Sequence, residues 1–245
     1  MLFLNRYLMS PHLPSEQPVP SSVLADRLIK LNRADVIQQL LRGIAHDLRN
    51  NLQVVALGSS LGEESRGTAI GFRIERALDD MVGGLDLLAM LGHPSPAATA
   101  HTDIAEVLIA MQQLTDLQRN LPTVPLAVEP PATIVAAIPR TALLQILLNL
   151  VANAKEATNG ASTPIAITVE HSGNTVSLSV DNDGESIGPD AGTAFVTTRD
   201  PATHAGIGLF VSRSLAERSG GTLSWEPRTG GGTRARLTLP VSDLS

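Results

Sequence analysis

The sequence predicts a chain in two parts, a hairpin of two long helices followed by a domain that mixes helices with an antiparallel sheet. Two observations carry this prediction. Apolar residues recur three and four positions apart through the first third of the chain, which is the period of an amphipathic helix. Beyond residues 92–100 (GHPSPAATA), short stretches of alternating apolar residues appear between helical ones. A length of 245 residues suits two modest domains.

Composition and charge exclude several classes of function. The chain has 18 Lys and Arg against 24 Asp and Glu, a net charge of -6 and no long basic run, which disfavours nucleic-acid binding. It contains no Cys, so disulfides, thiolate zinc sites and cysteine nucleophiles are excluded. The sequence has no run of about 18 apolar residues to span a membrane and no signal-peptide pattern at its start. We therefore expect a cytoplasmic chain.

The helical hairpin is predicted over residues 23–92, after a flexible leader over residues 1–22 that holds several Pro and Ser. Residues 58–67, with Gly, Ser and acidic side chains, separate the two helices. A lone hairpin buries only one side of each apolar stripe, so two copies should pair as a homodimeric four-helix bundle. The first stripe consists of Leu24, Leu28, Leu31, Ile37, Leu41, Ile44, Leu48, Leu52 and Val55, and the second of Ile70, Ile74, Leu78, Met81, Leu85 and Leu88.

The second domain is predicted over residues 101–245 and has an α+β pattern, with three helices and two pairs of strands. The helices cover residues 104–117, 140–157 and 208–218, with extended pieces near Leu126 and Ile134. Residues 165–169 and 176–180 alternate on either side of Ser172-Gly173-Asn174 and predict a β-hairpin. Residues 223–225 and 235–239 flank a Gly-rich turn and form the last pair.

His46 is the first candidate for chemistry. At about 100° per residue it points away from the apolar stripe of its helix and shares a polar face with Asn50 and Gln53. An exposed imidazole next to a carboxylate, here Asp47, can act as a nucleophile or proton acceptor near neutral pH. Taken alone, a surface histidine on a helix is the simpler interpretation.

A second candidate is the helix over residues 140–157, where Gln145, Asn149, Asn153 and Glu156 form one polar stripe among Leu, Ile and Val. Amides buried there need hydrogen-bond partners. The side-chain oxygen of an Asn is a suitable ligand for Mg²⁺, which commonly bridges to substrate phosphates. The alternative, the polar outer face of an amphipathic helix, is equally open at this point.

Three further clusters are weak signals when taken singly. Residues 180–187 leave a strand into a turn of acidic and amide groups, as many strand ends do. Gly206-Ile207-Gly208-Leu209 opens a helix, where backbone amides can approach a phosphate and the helix N-terminus favours anions. Gly230-Gly231-Gly232-Thr233 precedes the last strand and is typical of a hairpin turn.

Taken together and in this order, these segments resemble the motifs of bacterial two-component sensor histidine kinases over about residues 25–240. The segment of His46 resembles the phospho-acceptor box and the helix with Asn149 and Asn153 the asparagine box. The first glycine box is matched by residues 182–187, the phenylalanine box by 195–199, and the later glycine positions by 206–209 and 232–233. The resemblance implies a dimerisation and phosphotransfer hairpin followed by a Bergerat-type α/β sandwich, the GHKL-type ATP-binding domain shared with gyrase, Hsp90 and MutL.

The resemblance also implies roles for the site residues, with ATP and Mg²⁺ as cofactors. Asn153 would hold Mg²⁺ against the triphosphate, and the backbone at Gly206 and Gly208 would cradle phosphate oxygens. Thr233 with Asn182 or Asp183 would bind adenine. Three residues of the same boxes, Asn149, Gly184 and Leu209, complete the expected cofactor-binding set.

The residue at position 149 indicates whether the phosphoryl group goes to water or to a histidine. The related ATPases place a Glu four residues before the magnesium-binding Asn to activate water, and Asn149 at that position cannot act as a base. The phosphoryl group should therefore go to His46, with Asp47 orienting the imidazole and taking up its proton. It would then pass to an Asp of a separate response regulator receiver domain, for which this chain has no room. Asp47 and Asn50 also match the family pattern for orienting a water, which predicts a secondary phosphatase activity.

The sequence departs from the family pattern at four positions. Asn182 stands where the family has an Asp that accepts from the adenine amino group, Ser186 and His204 replace box glycines, and Asn51 replaces the usual Pro. Two other functions stay open: a histidine phosphotransfer protein whose second domain no longer binds nucleotide, and a serine kinase or ATPase of the same nucleotide fold. The amides and glycines of the second domain argue against the former, and the box around His46 against the latter.

Overall fold

A computed structural model describes residues 21–59, 69–92, 101–117, 133–158, 165–186 and 207–242. Within these ranges the chain forms helices and strands that alternate in its second half. In chain order they are α1 (Ser21–Ser59), α2 (Ala69–Gly92), β1 (Thr102–Asp103), α3 (Ile104–Leu117), β2 (Val135–Ala136), α4 (Arg140–Ala157), β3 (Ala166–Ser172), β4 (Thr175–Asn182), α5 (Gly208–Arg218), β5 (Thr222–Pro227) and β6 (Thr233–Pro240).

An antiparallel sheet with the strand order β3-β4-β6-β5 forms the centre of the second domain. The β3–β4 hairpin turns at Gly173, whose φ of 56° lies in the region that favours glycine. On β4, Val176, Leu178 and Val180 are buried and pair with apolar residues of β6 that face the same side. The opposite face of the sheet carries charged and hydroxyl side chains, so only one face of the sheet belongs to the core.

Helix α4 is the central helix of this core. All residues from Thr141 to Val151 are buried, because α3, α5 and β4 cover different sides of the helix. A helix enclosed in this way is apolar nearly all round, and α4 carries Leu or Ile at most of these positions. The polar side chains Gln145 and Asn149 therefore lie inside the protein and not on an outer face.

Helices α1 and α2 pack against each other and against the second domain. One side of α1, with Leu28, Val36 and Ile44, continues the apolar core of the second domain. Near the start of α1, Asp26 forms an ion pair with Arg218 of α5 at 2.6 Å. The hairpin and the second domain are thus joined by both apolar and polar contacts.

The other side of α1 and part of α2 expose large apolar side chains. Leu31 and Leu52 are 61% and 55% exposed, and Val82 on α2 is 57% exposed. The predicted stripe of α1 is therefore only partly buried within one chain, because Leu24, Leu31, Leu41 and Leu52 point outward. The buried side includes Ile29, Val36 and Leu40, which the predicted stripe omitted.

The structure confirms most of the predicted elements of the second domain. The helices over residues 104–117, 140–157 and 208–218 have the predicted bounds, and the β3–β4 hairpin lies where the alternation placed it. The two last strands extend beyond the predicted residues at both ends. The short pair β1–β2 was not predicted as a sheet, and α1 begins at Ser21, inside the predicted leader.

Several sequence predictions fall outside the described residues. They concern most of the leader, the piece near Leu126, the segment 195–199 and Gly206. Among the helices that are described, none combines the length and apolar character needed to cross a membrane.

Candidate functional site

The site is built where β4 ends and β6 begins. Asn182, the last residue of β4, is 4% exposed, and its side-chain oxygen accepts hydrogen bonds from the backbone N–H groups of Gly184 and Thr233, both at 3.1 Å. Ser186 Oγ donates to the carbonyl of Gly232 at 2.9 Å, and Thr233 Oγ1 donates to the carbonyl of Glu185 at 3.3 Å. The turn after β4 and the first residues of β6 are therefore held together, and the Asn182 side chain is fixed between them.

Two glycines permit close backbone contacts around this junction. A Cβ on Gly184 would lie 2.0 Å from the carbonyl oxygen of Ala157, at the end of α4. A Cβ on Gly232 would lie 1.9 Å from the carbonyl oxygen of Asn182, and Gly232 also has a φ of +88°. Glycine is required at both positions for the β4 turn to touch α4 and β6 at once.

Two arginines neutralise the carboxylates on either side of Asn182. Asp181 is bound by Arg234 through two hydrogen bonds, of 2.9 and 2.6 Å, on the outer face of the sheet. These bonds raise the pKa of the Arg234 guanidinium above its usual value. Arg228 pairs with Asp183 and also donates to the backbone carbonyl of Asn182 at 2.9 Å. The two carboxylates are thus already engaged by protein groups.

The polar stripe of α4 meets α1. Asn149 and Asn32 exchange two side-chain hydrogen bonds, of 3.1 and 2.9 Å, and the nitrogen of Asn149 also lies within bonding distance of Gly208 O and Ser212 Oγ. Gln145 donates to Asn32 Oδ1 at 2.8 Å and accepts from Arg33 Nε at 3.4 Å. The buried amides of the stripe have the partners that burial demands, and the alternative of an outer polar face is wrong for these two residues.

The same helix carries Asn153 and Glu156 toward its C-terminal end, where both side chains are half-buried. Between them, burial lowers the pKa of the Lys155 ammonium group below its usual value, and the nearby Glu156 partly offsets this effect. Within the described ranges, no group of three or more His, Cys, Asp or Glu side chains could hold a metal ion. A cation at Asn153 would thus need further oxygen ligands from a bound phosphate, which suits the coordination habits of Mg²⁺.

Helix α5 begins next to the α4 stripe. Its first residue, Gly208, lies against Asn149, and a Cβ on Gly208 would be 3.7 Å from the Asn149 side chain. The residue before it, Ile207, provides no side-chain cap, and a helix N-terminus of this kind favours an anion near its first backbone N–H groups. Leu209 is half-buried and packs against the core.

The residues predicted to accept the phosphoryl group lie on another element. His46, Asp47 and Asn50 belong to α1, which is helical through this segment, and their side chains lie outside the described part of the structure. The described contacts bring Asn149 and Gly208 together, and likewise Asn182, Gly184 and Thr233.

Sequence reasoning missed Asn32, Ser212 and Arg228. Asn32 lies four residues after Leu28 and four before Val36, so it occupies the buried phase of α1. A polar residue among positions with the spacing of buried residues was the signal that could have identified Asn32. Ser212 and Arg228 gave no comparable signal in the sequence.

Comparisons with known proteins bear on this site. Residues 139–243 match the family described as histidine kinase-, DNA gyrase B-, and HSP90-like ATPase. The matched residues begin just before α4 and run past the end of β6, so they contain both the β4–β6 junction and the α4 stripe.

The chain is also similar to curated bacterial proteins. Sensor protein kinase CarS of Pseudomonas aeruginosa is 37% identical over 106 residues, which cover 42% of this chain and 23% of CarS. Sporulation kinase E of Bacillus subtilis is 26% identical over 240 residues, which cover 89% of this chain and 30% of that protein. The chain spans less than a third of the length of either relative.

The chain is also similar to a solved structure. The catalytic domain of histidine kinase ThkA, in a nucleotide-free form, is 28% identical and aligns with a TM-score of 0.48 over 57% of this chain and 93% of that one.

Proposed function

We propose that this chain, a relative of two-component sensor histidine kinases with a GHKL-type ATP-binding domain, transfers the γ-phosphoryl group of ATP to His46. The observation that carries the proposal is the β4–β6 junction, in which Asn182 and Thr233 are fixed beside α4 within the residues that match the ATPase family. The match itself supports ATP as the substrate, and the similarity to sensor kinases supports a histidine as the acceptor.

Each part of the site has a role in this proposal. Asn182 and Thr233 face the base, with Asp183 and Gly184 forming the turn beside them. The backbone of Gly206, Gly208 and Leu209 at the start of α5 binds phosphate oxygens. Asn153 would hold Mg²⁺, and the metal would supply charge neutralisation at the triphosphate.

The chemical step is an in-line displacement on phosphorus. A ring nitrogen of His46 forms a bond to the γ-phosphorus while the bond from that phosphorus to the β,γ-bridging oxygen breaks, and ADP leaves. Asp47 orients the ring and accepts the proton that the imidazole loses. Asn149 cannot activate water, since an amide is not a base and all its hydrogen-bonding groups are directed at protein partners. Positioning and charge neutralisation therefore supply most of the catalysis.

We also infer that the hairpin pairs with a second copy as a four-helix bundle. Leu24, Leu31 and Leu52 are exposed and recur at multiples of seven residues on α1, a spacing typical of helices that pack along a seam. Leu78, Val82 and Leu85 continue an apolar surface on α2. Exposed leucines and valine along both helices of a hairpin favour self-association.

The phosphoryl group on His46 would pass to an Asp of a response regulator receiver domain. Asp47 and Asn50 follow His46 by one and four residues and would orient a water during dephosphorylation of that regulator. The phosphotransfer protein without nucleotide binding is the less favoured alternative, because the second domain matches the ATPase family over its whole sheet.

The proposal is tested with γ-labelled ATP and Mg²⁺ on the purified chain. We expect acid-labile, base-stable label on the wild type, none on His46→Ala, and at least about tenfold less on Asn153→Ala, which loses a metal ligand. His171→Ala, an exposed histidine on β3, is the matched control and keeps full labelling. A wild type that binds no nucleotide, or a His46→Ala variant that labels normally, would overturn the proposal.

A further inference from the structure

Helix α5 lies beside the N-terminal third of α1. Arg218, at the end of α5, pairs with Asp26 of α1 at 2.6 Å. At the start of α5 the contact runs through Asn149, whose Nδ2 lies 2.9 Å from Asn32 Oδ1 and 3.3 Å from the carbonyl oxygen of Gly208. The second domain is therefore docked on the first turns of α1.

His46 lies well beyond this docked part of α1. The helix is continuous and rises about 1.5 Å per residue, so Asn32 and His46 are about 21 Å apart along its axis. Phosphoryl transfer requires the attacking nitrogen to lie about 3–3.5 Å from the reacting atom. The N-terminus of α5 is directed toward His46, because α5 runs from Asn32 toward the start of α1, but the three phosphates of one nucleotide are too short to span the remaining distance.

Pairing with a second copy does not shorten this distance. A two-fold axis along a four-helix bundle places the acceptor histidine of each copy at the same height as that of the other. The docked arrangement thus separates the start of α5 from either histidine, and the second domain must leave the N-terminal third of α1 before it can meet one.

The docked arrangement is held by buried amides as well as by apolar side chains. Gln145 Nε2 donates to the carbonyl of Ile29 at 3.2 Å and to Asn32 Oδ1 at 2.8 Å, and Arg33 Nε donates to Gln145 Oε1 at 3.4 Å. These amides would bond to water if the helices separated, so each hydrogen bond contributes only a small net free energy. Polar interfaces between two parts of one chain commonly allow the parts to move. The contact is therefore suited to opening as well as to closing.

We propose that Asn32, Gln145 and Asn149 form an autoinhibitory latch, which holds the second domain on the N-terminal third of α1 and prevents phosphoryl transfer to His46 until it opens. The inference rests on the proposed function, because it takes the start of α5 as the phosphate-binding end of the site and His46 as the acceptor. The latch also engages both amide atoms of Asn149, a residue of the expected cofactor-binding set. Weakening the latch should increase the fraction of chains in which a bound nucleotide can reach His46.

The latch is tested by the initial rate of labelling from γ-labelled ATP at saturating concentration with Mg²⁺. Asn32→Ala removes the hydrogen bonds to Asn149 and Gln145, so we expect labelling at least about fivefold faster than that of the wild type. Gln38→Ala makes the same kind of change at an exposed position of α1 and is the matched control, which should keep the wild-type rate. A cooperative thermal melt establishes that each variant is folded.

A reversible crosslink tests the latch in the opposite direction. The chain contains no Cys, so Asp26→Cys combined with Arg218→Cys introduces two thiols at the positions of an observed ion pair. We expect a reducible bifunctional thiol reagent that joins them within one chain to slow labelling of His46 by at least about tenfold, and a reductant to restore the rate. The crosslinked pair decides the question even if Asn32→Ala does not fold.

A folded Asn32→Ala variant that labels no faster than the wild type, or a crosslinked chain that labels at the full rate, would overturn this inference and leave the proposed function intact. Label that appears only once Asn32 is replaced would support both. Absence of label from the wild type, from folded Asn32→Ala and from the cysteine pair without its crosslink would overturn the proposed function, and this inference with it.

Discussion

Asn32 on α1 and Asn149 on α4 bind each other through both atoms of their side-chain amides, at 3.1 and 2.9 Å, across 117 positions of sequence. Asn32 also accepts from Gln145 at 2.8 Å. Helix α1, which carries His46, and the central helix of the second domain are therefore held together by a buried polar cluster. Such a cluster specifies one arrangement of two elements, since any other arrangement leaves amides without partners.

Replacing Asn32 with Ala should destabilise the protein. The change leaves Asn149 and Gln145 buried with fewer partners than they have amide groups, and an unsatisfied buried group costs about 1–3 kcal/mol. Denaturant unfolding measures the loss, with Gln38→Ala on the exposed side of the same helix as the control. Equal unfolding midpoints for the two variants would show that the amide cluster contributes nothing to stability.

Alanine substitutions of Gly231 and Gly232, just before β6, should distinguish backbone strain from a steric clash with the neighbouring backbone. Gly231 and Gly232 both have positive φ angles, of 109° and 88°, but only a Cβ on Gly232 meets backbone, 1.9 Å from Asn182 O. Gly232→Ala should therefore weaken nucleotide binding and lower the thermal midpoint well beyond Gly231→Ala, whose cost is backbone strain of about 1 kcal/mol. Calorimetry and thermal melts on the pair measure this, and equal effects would argue against the tight junction.

Arg234 and Arg236, both on the outer face of the sheet, should differ in how much they contribute to the free energy of unfolding. Arg234 binds Asp181, whose side chain is 7% exposed, whereas Arg236 pairs with Glu170, which is 62% exposed. Arg234→Ala leaves the buried Asp181 carboxylate with only the longer contact to Arg228 Nε, at 3.6 Å, and should cost about 1–3 kcal/mol. Arg236→Ala breaks an exposed pair worth less than about 1 kcal/mol. Unfolding free energies of the two variants that were equal would contradict this ranking.

The lowered pKa of Lys155 predicts how stability depends on pH. Burial disfavours the charged ammonium in the folded state, so the folded chain binds fewer protons than the unfolded chain between the lowered pKa and the usual 10.5. The free energy of unfolding contributed by this group therefore rises as pH rises through that window. In Lys155→Gln this increase in the free energy of unfolding should be absent. Denaturant unfolding of the wild type and the variant at about pH 8 and about pH 10 measures the difference. If the free energies of unfolding of the wild type and the variant changed equally with pH, the lowered pKa of Lys155 would be contradicted.

A charge on the exposed leucines should dissociate the proposed dimer. Leu52→Glu places a carboxylate on the exposed apolar side of α1 and should shift the chain to monomers in sedimentation experiments. Gln53→Glu introduces the same charge one residue away, at another exposed position, and should leave the mass unchanged. A wild type that sediments as a monomer would exclude the four-helix bundle.

The second domain was predictable because its signals are local. The helix over residues 140–157 has a strong run of Leu and Ile, and the β3–β4 hairpin has strict alternation around a Gly turn. The pair β1–β2 was missed because two-residue strands are too short to show a period of two. The sequence predicted the apolar stripe of α1, but not which of its residues are buried against the second domain and which are exposed. Periodicity alone does not distinguish the two sets of residues.

The contacts that define the site depend on distant parts of the chain. Asn182 and Thr233 are 51 positions apart, and their hydrogen bond follows from the pairing of β4 with β6. The sequence placed both residues at the site, but only the register between the strands brings the Thr233 N–H group to the side-chain oxygen of Asn182. The partnership of Asn32 with Asn149 depends in the same way on how α1 lies against α4.

Phosphoryl transfer to His46 is tested by locating the phosphoryl group on the chain. The wild type is incubated with γ-labelled ATP and Mg²⁺, digested at neutral to alkaline pH and mapped peptide by peptide, so that an acid-labile phosphoramidate survives. We expect the label to lie on the peptide that contains His46. Label on a serine, a threonine or any other histidine would contradict it.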